Sequence, residues 1–248
     1  MGQGAVVAMA AVILQAAGLR KSYGGLRAVD GVDFALHTGE IHALIGPNGA
    51  GKTTFVGLLS GRIAPDGGAI TLEGQDITRL PAHVRVRRGI AYTFQITAIY
   101  PALSVFDNVA LAAQSQNPTD LAAEVARALD RVGMRDLASQ EAATLSYGHQ
   151  RLLEVAMGLA LRPRVLILDE PTQGLASGEI EGFMALVRSL VPKTTVLLIE
   201  HNMDVVMDLA DRITVLNHGK VLAQGSPADV RANLAVQAAY LGVEDASA

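Results

Sequence analysis

One stretch constrains the chain more than any other. Gly46-Pro47-Asn48-Gly49-Ala50-Gly51-Lys52-Thr53 matches G-x-x-x-x-G-K-[ST] and sits between the apolar run Ile41–Ile45 and the helical run TFVGLLSG. A strand that hands over to a helix through a glycine-rich loop presents successive backbone N–H groups to one point. Glycine allows this because no Cβ stands in the way. The helix that follows adds its positive end. Lys52 places a point charge on β- and γ-phosphates, and the Thr53 hydroxyl is a hard oxygen for Mg²⁺. Gly46, Pro47, Asn48, Gly49, Ala50, Gly51, Lys52, Thr53 and Thr54 are therefore the candidate phosphate cradle.

A second motif sharpens the first. Val165-Leu166-Ile167-Leu168 is an apolar strand that ends in Asp169-Glu170. A strand covered on both faces delivers its last residues to the carboxyl edge of an open α/β sheet, where nucleotides bind. Asp169 suits Mg²⁺, reached through water or Thr53, and Glu170 suits a general base that polarises the attacking water.

The rest of the chain accommodates such a layer. Strands are expected at Val12–Ala17, Gly31–Leu36, Ile41–Ile45, Ala69–Leu72, Ile90–Phe94, Val165–Leu168, Thr195–Ile199, Ile213–Leu216 and Lys220–Ala223, with a hairpin turn at Asn217–Lys220. Helices are expected at 52–61, 79–88, 120–133, 148–161, 178–190, 203–210 and 227–240. The last opens on Ser226 as N-cap and Pro227 at its first position. Strands and helices alternate at both ends, while 97–160 reads mostly helical, the pattern of an α/β core with a helical insertion. Residues 1–10 are expected to form a flexible extension ahead of a single domain over 11–248. The apolar run 5–17 is too short to span a bilayer. A formal charge of −4, 4% aromatics and no Trp speak against a nucleic-acid partner. With no Cys there is neither a disulfide framework nor a thiol nucleophile.

Between the two motifs lies Leu145-Ser146-Tyr147-Gly148-His149-Gln150, and Ile199-Glu200-His201 ends a later apolar strand. With these residues, from about Leu14 to Gly242, the chain resembles the ATP-binding subunits of ABC transporters. The resemblance implies an α/β fold: a P-loop NTPase (RecA-like) core, an antiparallel β subdomain and an inserted α-helical subdomain. It implies ATP and Mg²⁺ as cofactors. It also implies roles beyond those read from the residues. Tyr23 resembles the aromatic that stacks on adenine. Gln95 resembles the glutamine that senses the γ-phosphate, touches the metal and lies beside the transporter contact. Ser146 and Gly148 belong to the signature that closes on ATP held by the opposite subunit. His201 resembles the switch histidine at the γ-phosphate. Lys52, Gln95, Glu170 and His201 are then the hydrolytic set, and Thr53, Gln95 and Asp169 the metal set.

One phosphate loop and one signature per chain imply a head-to-tail pair, identical or with a similar partner. The signature departs from LSGGQ at Tyr147 and His149, and Ala176 in PTQGLASGE stands where most members carry Asp. Tyr147, Ala176, IEHNMDVVMDLADRI and the late AYLG resemble the branched-chain amino-acid and urea import branch. That likeness implies permease subunits docking near Ile96–Ser104, an extracytoplasmic solute-binding protein, and a peripheral place at the cytoplasmic face of the inner membrane. Three rival readings follow from the same motifs: a soluble ABC-type ATPase, a P-loop kinase or GTPase, and a regulatory module that binds ATP without turnover.

Overall fold

The computed structural model describes residues 11–93 and 98–241. The expected extension at 1–10, and Phe94, Gln95 and Ile96, fall outside the described residues. The chain opens with β1 (Val12–Tyr23) and β2 (Leu26–His37), a long antiparallel hairpin. Both strands run well past the expected limits, because β1 is paired on both edges. Then come β3 (Ile41–Ile45), α1 (Lys52–Ser60), β4 (Gly67–Leu72), β5 (Gln75–Asp76), α2 (Ala82–Arg87) and β6 (Ile90–Tyr92). The middle of the chain holds α3 (Val105–Gln114), α4 (Leu121–Arg131) and α5 (Tyr147–Ala160), with short 3-10 turns at Arg135–Leu137 and Ala142–Thr144. The remainder alternates: β7 (Val165–Asp169), α6 (Ser177–Leu190), β8 (Thr195–Ile199), α7 (Met203–Leu209), β9 (Arg212–Asn217), β10 (Lys220–Gly225), α8 (Pro227–Ala232) and α9 (Leu234–Leu241).

Two sheets result. A six-stranded sheet has the order β10-β9-β3-β8-β7-β6, parallel except for β10, and a four-stranded antiparallel sheet has the order β2-β1-β4-β5. All five residues of β3, β7 and β8 are buried, which is why their sequences do not alternate. Alternate residues of β7 serve opposite cores. Leu166 and Leu168 pack toward the helices with Leu153, Ala156 and Phe183. Val165 and Ile167 pack toward the antiparallel sheet with Leu14, Phe34, Phe55 and Leu59.

Local chemistry sets the helix boundaries. The Ser104, Asp120 and Ser146 side chains accept backbone N–H groups at the starts of α3, α4 and α5. The expected single helix over 227–240 is instead two. Asn233 is extended at ψ 113°, and its Oδ1 accepts the Val236 N–H at 3.1 Å, so an Asx cap starts a new helix inside the apolar run. The Ser226 cap is as expected, with Asp229 N–H donating to its Oγ at 3.2 Å. His42 is a buried core histidine between Glu40 and Thr214, and burial holds its pKa below the ordinary imidazole value.

Candidate functional site

The loop after β3 is shaped by close approach of the backbone. A Cβ on Gly46 would sit 2.2 Å from the Leu216 carbonyl oxygen, and one on Gly51 would sit 2.2 Å from that of Ala28. Both glycines have positive φ, 155° and 99°. No other residue type fits either place. Phe55 N–H donates to Gly51 O at 2.8 Å and begins α1, whose first-turn N–H groups have no acceptor within the helix. The Lys52 ammonium is held inside the loop, donating to Gly46 O at 2.6 Å and Pro47 O at 3.1 Å. Burial pulls its pKa down, and the Glu170 and Asp169 carboxylates oppose that shift.

A cavity of about 600 Å³ opens over the loop. Asn48 to Thr54 form its floor, and Tyr23, Arg27, Glu170 and His218 form its walls. The structure thus brings Tyr23, Lys52, Thr53, Thr54 and Glu170 together, from three separate parts of the fold. Arg27 and His218 are additions that sequence reasoning missed. His218 reads as an ordinary hairpin-turn residue. It reaches the cavity because β9 lies parallel beside β3, and because the β9–β10 turn is tied to β2 by Asp30 N–H donating to Gly219 O at 2.8 Å.

Asp169 and Glu170 end β7 in different settings. Asp169 is buried, and its Oδ2 accepts the Tyr92 hydroxyl at 2.5 Å. Burial raises the Asp169 pKa against the effect of that hydrogen bond, and raises the Tyr92 pKa as well. Glu170 has a left-handed backbone at φ 47°, a conformation that costs a non-glycine residue about 1–3 kcal/mol. Its N–H donates to Ile199 O at 2.9 Å, and its Oε1 lies 3.9 Å from His201 Nδ1. The turn aims one carboxylate into the cavity, and the other stays under the sheet edge. The Thr53 hydroxyl lines the cavity and the Asp169 carboxylate ends β7 next to Glu170, two hard oxygen donors. That suits Mg²⁺, which takes few protein ligands and completes its shell with water and phosphate oxygens. Among the described residues no cluster of three or more His, Asp or Glu side chains forms a cage for a metal.

Ser146 and Gly148 do not line this cavity. They start α5, where Ser146 Oγ accepts the His149 N–H at 3.3 Å and pairs with His149 Nδ1 at 2.9 Å. Ser146, Tyr147 and His149 are exposed. Gly148 is packed so closely that a Cβ would stand 2.3 Å from Glu179 Oε1. Glu179 Oε2 accepts the Ala176 N–H at 2.9 Å, which caps α6 from within, since Ala176 has no side-chain acceptor. Tyr147 lies against Gly174, so this departure in the signature and the 170–176 segment are neighbours. Farther along α5, buried Glu154 pairs with Arg151 at 2.9 Å and accepts the Ala98 N–H at 2.6 Å. The role expected for Gln95 falls outside the described residues.

The family model described as ABC transporter matches residues 29–173, and that of the branched-chain amino acid ATP-binding cassette transporter matches 220–246. The high-affinity branched-chain amino acid transport ATP-binding protein BraF of Pseudomonas aeruginosa is 38% identical over 253 residues, covering 94% of this chain and 99% of that protein. LivG of Escherichia coli K12, with the same description, shows the same identity and coverage. Among solved structures, a nucleotide-free ATP-binding cassette from an ABC transporter superposes with a TM-score of 0.86 at 26% identity, over 93% of this chain and 99% of that one. A cassette in its ADP conformation superposes with a TM-score of 0.86 at 26% identity, over 94% and 99%.

Proposed function

This chain belongs to the ABC transporter family and is an ATP-hydrolysing cassette of it, and from that premise we propose that it drives import of branched-chain amino acids, or of related small polar solutes such as urea and amides. The observation that carries the chemistry is the single cavity in which Tyr23, the Lys52 loop and Glu170 meet while Ser146 and Gly148 lie elsewhere. ATP stacks on Tyr23, and its phosphates rest on residues 46–54 with Lys52 at the β- and γ-phosphates. Mg²⁺ would be held by Thr53, with Asp169 and Gln95 completing the protein's share, and would neutralise charge on the β- and γ-phosphates. Glu170 takes a proton from the attacking water, and His201 beside it contacts the γ-phosphate.

Because the signature is outside its own cavity, it completes the site of a second ATP-binding subunit, and the working unit is a head-to-tail pair. ATP closes the pair in proportion to its preference for the closed form. The substrate class rests on full-length similarity to BraF and LivG and on the match at 220–246. Permease docking at Ile96–Ser104 is supported by Tyr100 and Leu103, apolar side chains exposed at 56% and 36%. A solute-binding protein and a peripheral site on the cytoplasmic membrane face follow from the same reading. Among the described residues no helix is long and apolar enough to cross a membrane.

The test is Glu170→Gln in the chain purified with its membrane partners. We expect ATP binding to persist, turnover to fall by about 10²–10⁴, and ATP-driven leucine, isoleucine and valine uptake into proteoliposomes to stop. Hydrolysis close to that of the unaltered chain would remove Glu170 from its role. Uptake of none of these amino acids by the unaltered complex would remove the branched-chain assignment, and uptake of none of them nor of urea or amides would remove the substrate class.

A further inference from the structure

A demanding buried group outside the nucleotide cavity is the Glu200 carboxylate, 1% exposed just beyond β8. A carboxylate in that position is unstable unless donors surround it. Here Oε1 accepts the Thr172 N–H at 3.0 Å and the Thr172 hydroxyl at 2.5 Å, while Oε2 accepts the His201 N–H at 3.1 Å and the Asn202 N–H at 3.3 Å. Thr172 is two residues beyond Glu170 on the segment that runs through Ala176 into α6. One side chain therefore ties that segment to the turn that presents His201.

We propose that Glu200 is a positioning residue that sets His201 against Glu170, joining the 170–176 segment and the His201 turn into one moving unit. The geometry is specific. Glu170 and His201 sit on adjacent strand ends, β7 and β8, and their side chains meet only at 3.9 Å, too long for a hydrogen bond that would hold them. The backbone bond from Glu170 N–H to Ile199 O fixes the strand ends, and Glu200 fixes the two turns beyond them. Ala176 brings no polar side chain to the same segment, so a displacement of 170–176 reaches His201 through the Thr172–Glu200 link. Asn202 carries the link onward, since its Oδ1 caps α7 by accepting the Asp204 N–H at 3.1 Å.

The inference rests on the proposed roles of Glu170 and His201, and a double-mutant cycle separates the two. Glu200→Gln keeps the shape but puts an amide NH₂ where one oxygen accepted two donors, so one turn is released. In the assembled transporter we expect ATP turnover to fall about tenfold to a hundredfold, with the KM for ATP and the melting temperature little changed. Thr172→Val removes only the hydroxyl donor and costs about threefold to tenfold. Placed on His201→Ala, Glu200→Gln should add almost nothing, because it acts through His201. Losses that multiply in the double variant, or wild-type turnover in Glu200→Gln, would overturn the proposal with the hydrolytic site intact. Normal turnover in His201→Ala would overturn the site reading itself. If Glu200→Gln does not fold, Thr172→Val carries the same cycle and decides it.

Discussion

The phosphate loop and the signature turn both present a helix start and both contain a glycine under steric pressure, yet they are held in different ways. The loop is gripped by main chain: Gly46 and Gly51 lie against the carbonyls of Leu216 and Ala28, and α1 is buried from Phe55 to Ser60. The signature is gripped by side chains. Ser146 and His149 pair in solvent, and Gly148 leans on the end of a flexible glutamate. Main chain packed on main chain gives a cradle that does not yield. Side chain against glycine gives a surface that can reorganise against a partner. In the proposed head-to-tail pair, one half of the site belongs to this chain and the other is offered to a neighbour.

The largest effect should come from the rigid half. Lys52→Ala removes a charge whose hydrogen bonds go to loop carbonyls, and the cradle's shape rests on Gly46 and Gly51. Hydrolysis should fall about 10²–10³, with the melting temperature almost unchanged in calorimetry. A large loss of stability would break the comparison, because the loop would then depend on side chains too.

A smaller effect should come from the adaptable half. Gly148→Ala pushes Glu179 aside and disturbs its bond to Ala176 N–H, but the contact is with a movable side-chain end. Turnover of the assembled pair should fall about tenfold, while nucleotide affinity of the isolated chain stays the same. A weakened affinity in the isolated chain, measured by calorimetric titration, would place the signature in its own subunit's site.

The same difference explains what could be read from the sequence. The loop was legible because glycine spacing, an apolar strand and a helix start are local signals, and all three lie within Ile41–Ser60. Asp169 and Glu170 were legible for the same reason. Glu200 and Tyr92 were not read as neighbours of the candidate site residues, because their contacts come from strand order. Tyr92 meets Asp169 because β6 lies beside β7, and Glu200 meets Thr172 because β8 lies beside β7. A lone Tyr or Glu at a strand end carries no mark of its neighbour. The break at Asn233 was hidden too, since the apolar pattern continues through it and only a side-chain cap interrupts the helix. The length of β1 and β2 was hidden by the polar residues on their exposed faces.

Tyr23 tests the boundary between the halves with the smallest expected effect. It stands on the cavity wall, 49% exposed at the end of β1, with the Lys21 ammonium 5.6 Å from its ring centre. In the proposed role it offers a flat apolar face to a base, and stacking of that kind is worth about 1–3 kcal/mol, with the low end fitting an open wall. Tyr23→Ala should therefore raise the Kd for ATP about fivefold and leave turnover at saturating ATP as it was. Tyr23→Phe should bind as tightly as the unaltered chain, because the ring and not the hydroxyl does the stacking. If GTP weakens by the same factor as ATP, the wall reads ring area and not base identity, as expected of a surface built from one aromatic face. If affinity falls equally in Tyr23→Phe, the hydroxyl is bound to the nucleotide, and Tyr23 belongs with the polar contacts of the loop.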